Sequence, residues 1–517
     1  MRTLAEGKVP WDLIADKVRG ALPPEVLVGP SLGEDAALVR IGGEVWAVAS
    51  DPVSFTGEEA GRLSVIVNAN DIAVRGARPL YYLAVVLVSP AESSPDRIGG
   101  LLEEIRAACA ELGVALIGGH TEVTPGLSHS VVVGTMLGRV EGKPITTGGL
   151  RPGDWVGMTK WAGLEGTAIL LAELGDRLRE LHGPGAFRPK EEILAGEWLT
   201  VVPEARIAAA NPSVCALHDV TEGGVAEALH ELACASGVDL EVDREKIPVL
   251  PETRVICEDL GMDPLGLIGS GALLVGCGEG AREGLAAAFA NQEIPFTWLG
   301  RAVGPGAGTR LPRFERDELL KAKALEGIRA VLFDMDGTII DSGYDWPAIR
   351  RELGVESASI IEHLNGLESP QREEKWKRLR SIERHASLKA KPKDGAAELL
   401  ALLRSKGLRT ALATNNTEEN TRYLLDRFGL RLDEVITRDS GVWKPSGAPL
   451  TEALRRLDVP AKQSLAVGDS RYDVLAARDA GCGRLCLLYP DDEALAREAD
   501  LSFSDIPAFL RYLRLVL

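Results

Sequence analysis

The sequence contains no apolar run of about 20 residues, the length needed to cross a bilayer. Its opening, MRTLAEGKVPWDLI, carries charges where a secretion signal would have an apolar core, so a cytoplasmic protein is expected. Positive charge is also in deficit: 58 Lys and Arg face 76 Asp and Glu, a net charge of -18. This balance argues against nucleic acid or an anionic membrane as the main partner. Cysteine is sparse, with seven in 517 residues and no CxxC pair. Neither a disulfide framework nor a zinc site is indicated, and Cys482 and Cys486, which flank an apolar strand pattern, read as buried thiols. What is present is 45 % hydrophobic and 26 % charged residues, an ordinary soluble composition. The length is too great for one core, and about three packed units are expected.

The chain is organised around residues 331–342, VLFDMDGTIIDS. An apolar run ends in Asp334 and Asp336, and Gly337-Thr338 turns the chain away. Side chains alternate along a strand with period two, so both acids point into one crevice. One can attack while the other handles protons. Further along, ALATNN places Thr414 at the end of a second apolar strand, KPSG offers Lys444, and AVGDSRYD puts Asp469 at a third strand end with Asp473 four residues on.

These motifs, in this order, resemble the haloacid dehalogenase superfamily, whose phosphatases form an aspartyl-phosphate on magnesium. The resemblance covers residues 329–517. A phosphoryl group carries negative charge on its equatorial oxygens, so its site needs a divalent cation, a fixed ammonium and hydroxyl donors. Asp334 is the expected nucleophile and Asp336 the acid and base, Lys444 neutralises charge, and Thr414 donates to phosphoryl oxygens. Asp334, Asp336, Asp469 and Asp473 are the expected Mg2+ residues. The superfamily places its cap at residues 343–394, where WPAIRRELG and EEKWKRLRSIERHASLKAKPK read as helices with Trp376, Leu379, Ile382 and Leu388 facing inward. Alternating strands and helices around it predict a doubly wound parallel sheet, Rossmann-like.

The first 312 residues have a different texture. GKVPWDLIADKV predicts a short helix entered through Pro10, with Lys8 on a mobile segment before it. Asp35 in GEDAA and Asp51 in SDPVSF fall at neighbouring strand ends. Asn68 and Asp71 are three apart on one predicted helix face. In VALIGGHTEV, Gly118-Gly119 brings the backbone close to something, with His120 and Glu122 alternating beyond. From about residue 151, a strand, a glycine turn and a helix start put Gly166 and Thr167 at a helix entry of the type that faces phosphate. HDVTEGG sets Asp219 ahead of another helix.

GEDAA, SDPVSF, NANDIAVRGARP, GGHTEV and HDVTEGG together resemble the family of aminoimidazole ribonucleotide synthetase, thiamine-monophosphate kinase, selenophosphate synthetase and the hydrogenase maturation dehydratase. HDVTEGGVAEAL and the opening GKVP look most like the hydrogenase-maturation members. The resemblance implies ATP with its phosphates clamped by Mg2+, and a homodimer through the first subdomain. It makes Asp35, Asp51, Asp71 and Asp219 metal ligands and Lys8, Asn68, Asp71, Gly119, His120, Gly166 and Thr167 nucleotide contacts. Several relatives carry an acid where this chain has His120, and the first half runs out through GRAVGPGAGTRLPRF with no cysteine.

The expected organisation is a two-subdomain ATP-binding, synthetase-like unit of mixed α/β and α+β class, at 1–150 and 151–312. A linker helix from Asp317 fills 313–328, and the hydrolase domain runs from 329 to 517. The expected function is ATP-dependent activation or phosphorylation of a small molecule, fused to Mg-dependent hydrolysis of a small phosphorylated metabolite. Two alternatives stand beside it: a kinase of the thiamine-monophosphate type joined to a phosphatase, and a non-catalytic ATP-binding dimerisation module that regulates the phosphatase.

Overall fold

The computed structural model describes residues 7–54, 59–193, 198–314, 316–356 and 359–517; Phe55 of the SDPVSF motif and residues 1–6 lie outside these. The chain divides into two compact units, Met1–Glu258 with Met262–Leu320, and Asp259–Gly261 with Lys321–Leu517.

The first unit holds two sheets. One runs Val26–Val28, Ala37–Ile41, Glu44–Ala49, Val131–Val140, Ala77–Val88, Ala115–Val123, with Pro52–Val53 added against Val131–Val140. Ala77–Val88 alternates between buried and more accessible side chains, the pattern of a strand with one face on a core. That core includes the helix Ala60–Ala73, nearly all of whose residues are buried. The edge strand Ala115–Val123 pairs in parallel with Ala77–Val88, and all nine of its residues are exposed in the single chain. The second sheet runs Gly308–Thr309, Val238–Val242, Phe296–Pro305, Trp155–Thr159, Leu273–Cys277, Val214–Asp219. Its last strand delivers His218 and Asp219 at its end. The short helix at Trp11–Val18 forms as its pattern predicts, but Leu13 and Val18 are exposed. In the linker, Glu318–Lys323 forms a 3-10 helix. The Asp317 carboxylate ahead of it accepts the N–H groups of Gly223 (2.8 Å), Ile268 (3.2 Å) and Leu319 (2.9 Å).

The second unit is built on six parallel strands in the order Glu434–Ile436, Arg409–Ala413, Ala330–Phe333, Ser464–Gly468, Arg484–Leu488, Leu501–Phe503. Every residue of Ala330–Phe333 and Ser464–Gly468 is buried, as continuous apolar runs covered on both faces must be. In chain order the strands read third, second, first, fourth, fifth, sixth. The order therefore reverses between Ala330–Phe333 and Ser464–Gly468, and the loops leaving these two strands diverge to open a crevice at their carboxyl ends. An antiparallel pair, Ile340–Asp341 with Lys391–Pro392, carries the chain into and out of the cap. The cap helices Trp346–Leu353, Ile360–Asn365 and Gln371–Lys389 close on Ile349, Leu353, Leu364 and Leu379. Leu388 is not part of that face; it is 59 % exposed. It stands nine residues beyond Leu379, which at 3.6 residues per turn puts it on the opposite side of the helix.

Candidate active sites

In the second unit the carboxylates arrive from the ends of two adjacent strands. Asp334 follows Ala330–Phe333, and Asp469 follows Ser464–Gly468. Asp473 sits in the first turn of the helix Arg471–Ala480 and closes a capping box with Ser470, taking Ser470 Oγ at 2.7 Å. Its other oxygen accepts from Lys444 Nζ at 2.6 Å, and the same ammonium donates to Asp334. Lys444 is fixed in turn by a reciprocal pair with Asn415: Lys444 N to Asn415 Oδ1 at 2.7 Å, Asn415 Nδ2 to Lys444 O at 2.9 Å. Thr338 Oγ1 donates to Asp469 at 2.9 Å. Gly337 is held at φ +95, and a side chain there would run into the Asp469 carboxylate. Thr414 Oγ1 accepts the Asn416 N–H at 3.1 Å, which leaves its own proton to donate.

Asp334, Asp469 and Asp473 each present an oxygen within 4.8 Å of the others. Burial pushes the Asp334 carboxyl well above the usual range; Lys444 pulls it down and the neighbouring acids push it further up. Burial and Asp473 push Asp469 up to about 7. Burial opposes the charge on Lys444, but Asp334 and Asp473 outweigh it and hold its pKa high. Three crowded oxygen ligands, two of them sharing one ammonium, are a donor set that fits a hard divalent cation. Asp336 turns elsewhere. Its carboxylate accepts from Ser342 and from Asn416 Nδ2 (3.1 Å), so its side chain stands outside the three-acid set. Burial raises its pKa while those two hydrogen bonds draw it back, the environment of an acid that can hold a proton and release it.

The cluster of the first unit is assembled from both sheets. Asp35, His218 and Asp219 lie within ligand distance of one another. Asp51 shares a hydrogen bond with Asp71, and the charges of Asp51, Asp219 and Asp35 all act on Asp71. Asp71 Oδ2 and both Asp219 oxygens are buried with no hydrogen-bond partner. Burial, then Asp35, pushes Asp219 up to about 7, and burial with its acid neighbours pushes Asp71 well above its usual range. Orphaned buried carboxylate oxygens of this kind fit bound cations. His218 is a poor ligand for one. Its Nδ1 lies 2.9 Å from Asp35 and its Nε2 3.1 Å from Glu231; despite burial, these acids hold it protonated, with a pKa of about 10. Fully buried Arg75 donates to Glu34 and, at 2.8 Å, to Asp35. Lys8 is tied in by two contacts, Nζ to Glu231 at 2.7 Å and N to Glu222 at 2.9 Å.

Other expected contacts are placed differently. Asn68 is fully buried, with Oδ1 on Asp51 N (3.0 Å) and Nδ2 on Ser64 O (2.8 Å), so it shapes the Asp51 turn. Gly119 and His120 are on the exposed edge strand, and His120 Nε2 meets Glu122 at 3.2 Å. They pair with Ala84 and Val85, one strand removed from Gly134, whose N–H donates to Asp51 O at 2.9 Å. That puts them three interstrand spacings, about 14 Å along the sheet, from the Asp51 backbone. The Gly166 N–H is taken by Ile268 O at 3.0 Å, and Thr167 Oγ1 binds Gly163 O at 2.6 Å and Thr253 Oγ1 at 2.7 Å. Both serve packing of the helix entry. Sequence reasoning missed Arg75, His218, Glu231, Asn416 and Ser342. His218 and Asn416 sit beside singled-out residues, Asp219 and the TNN turn, which was the available signal.

Family models identify residues 33–140 as the AIR synthase related protein N-terminal domain, residues 151–310 as its C-terminal domain, and residues 328–481 as haloacid dehalogenase-like hydrolase. The carbamoyl dehydratase HypE of Rhodobacter capsulatus is 31 % identical over 316 residues, covering 58 % of this chain and 88 % of that protein. An uncharacterized hydrolase of Saccharomyces cerevisiae is 30 % identical over 175 residues, covering 32 % of this chain and 80 % of that protein. A crystal structure of the hydrogenase maturation protein HypE in complex with ATP matches at 23 % identity and TM-score 0.46, over 61 % of this chain and 98 % of that chain. The chain therefore belongs to two families at once, the AIR synthase related proteins that include HypE over residues 33–310 and the haloacid dehalogenase-like hydrolases over residues 328–481.

Proposed function

We propose that this is a bifunctional enzyme whose second unit hydrolyses phosphomonoesters and whose first unit uses ATP on a small molecule. The observation that carries the first statement is Lys444 Nζ shared between Asp334 and Asp473, with Asp469 within ligand distance. An Asp334 oxygen attacks phosphorus in line, and the bond from phosphorus to the ester oxygen breaks. Asp336 hands its proton to the departing oxygen, so an alcohol leaves and an acyl phosphate remains on Asp334. Asp336, now ionised, takes a proton from water as that water attacks the phosphorus; inorganic phosphate is released and Asp334 is restored. Lys444 and the Thr414 hydroxyl hold the phosphoryl oxygens meanwhile. A magnesium ion on Asp334, Asp469 and Asp473 would supply further neutralisation of the phosphoryl charge. Release of phosphate from a panel of metabolite esters, by wild type and Asp334→Asn, tests this reading.

In the first unit, Asp35, Asp51, Asp71 and Asp219 would hold magnesium against the phosphates of ATP, with Lys8 beside them, and residues 1–150 and 151–312 would act as its two subdomains. The orphaned oxygens of Asp71 and Asp219 support this reading. The ATP would activate or phosphorylate a small molecule. A product assay separates the options: activation ends in free phosphate and a dehydrated product, phosphorylation in a stable phosphoester. The exposed strand Ala115–Val123, with Leu116, Ile117 and Val123 at its surface, supports a homodimer through the first subdomain. Light scattering on the full chain tests it.

A further inference from the structure

The crevice above Asp334, lined on one side by the cap, is a cavity of about 350 Å³, at the small end of ligand cavities. Its catalytic end is polar. Its outer end is walled by Tyr344, Trp346, Ile360, Ile361, Leu379 and Tyr472. The Tyr344 and Trp346 rings lie 4.6 Å apart between centroids, and Ile361 and Leu379 are almost fully buried behind the wall.

The charged groups at that outer end are already engaged with one another. Both Glu383 oxygens accept from Arg438, at 2.6 Å for Oε2, and the Arg438 guanidinium lies 5.1 Å over the Trp376 ring. Arg350 donates to Tyr472 Oη at 3.1 Å, and Arg471 pairs with Glu498. Tyr344 Oη accepts from Asn416 Nδ2 at 3.2 Å. A polyhydroxylated leaving group seated here would bury its hydroxyls against charged groups that already have partners, with the Tyr344 and Tyr472 hydroxyl protons left to donate, whereas an aromatic ring would meet an aromatic pair and branched aliphatic side chains.

We propose that the hydrolase unit acts on phosphomonoesters of compact, ring-bearing apolar alcohols in preference to sugar or polyol phosphates. This rests on the phosphatase reading given above and adds the substrate class. Trp346 is the specificity-determining residue: it lines the cavity, opens the first cap helix and keeps enough surface to be changed without emptying the cap core.

The test compares benzyl phosphate with glycerol 3-phosphate on the full chain with Mg2+. Both are primary alkyl esters, so leaving-group chemistry is nearly matched and the ratio of kcat/KM reports the outer cavity. The expected result is at least a roughly tenfold preference for benzyl phosphate, held in KM. Trp346→Ala collapses that ratio toward one by raising KM for benzyl phosphate, and Trp346→Phe restores it. Hydrolysis of both esters without preference, or a ratio untouched by Trp346→Ala, overturns the substrate class and leaves the phosphatase reading standing. Hydrolysis of neither ester above the Asp334→Asn background overturns both.

Discussion

The two carboxylate clusters use the same side chains in opposite constructions. Around Asp334 the ends of two adjacent parallel strands supply Asp334 and Asp469, the helix that follows supplies Asp473, and a single buried ammonium, Lys444, stands between Asp334 and Asp473. Around Asp219 the acids come from two sheets. The cations there, Arg75, His218 and Lys8, bind Asp35, Glu34 and Glu231, while the oxygens of Asp219 and one of Asp71 have no hydrogen-bond partner. The first arrangement carries its own counter-ion, which suits the single phosphoryl group proposed for it. The second concentrates uncompensated negative charge that suits several cations and a polyphosphate.

This contrast sets the expected effects. Asp336→Asn removes the proton carrier and is expected to cut phosphatase turnover by about 10²–10⁴-fold with little change in substrate KM, read by steady-state phosphate release. Asp219→Asn lowers ATP affinity in magnesium by about tenfold or more by calorimetry and leaves ester hydrolysis unchanged; a loss of hydrolysis would erase the distinction between the clusters. Lys444→Met strands the buried Asp334 and Asp473 charges, and the metal-free hydrolase unit is expected to lose about 3–5 kcal/mol at neutral pH in denaturant melts.

The smallest effect is a pH dependence shared by both clusters. Asp219 and Asp469, each at about 7 in the folded protein, lie above their ordinary value of 3.8. The folded state therefore holds extra protons between these limits, and the stability they contribute, complete below about pH 4, is lost as pH rises through 7. The Tm of the chelated protein should fall from about pH 5 to about pH 8, and Mg2+ should restore it more at the higher pH. A Tm that climbs over this range contradicts the crowding of carboxylates proposed for both sites.

The hydrolase site was legible because strand periodicity and chain reversal are local properties: Asp334, Thr414 and Asp469 each end an apolar run, and such runs become buried parallel strands whose ends meet. The first cluster was legible in its aspartates and not in its partners. Arg75 reads as a residue before a glycine break, yet it is fully buried and spans to Glu34 and Asp35. Glu231 sits thirteen residues after His218 on a different element, and nothing in the spacing couples a strand end to that turn of the helix Gly224–Ser236. Gly166 and Thr167 look like a phosphate-facing helix start until Ile268 and Thr253, about a hundred residues on, occupy their polar groups. Leu388 extends the apolar pattern to the helix end, past the point where its phase turns outward, and is exposed.

Two phosphate sites that work independently within one chain are the proposed basis of both activities. Full-length Asp334→Asn, assayed for ester hydrolysis and for ATP binding in the same preparation, tests this most directly. The prediction is hydrolysis down by roughly 10³-fold or more with ATP affinity unchanged. Hydrolysis that survives the substitution, or ATP binding that disappears with it, would contradict the account.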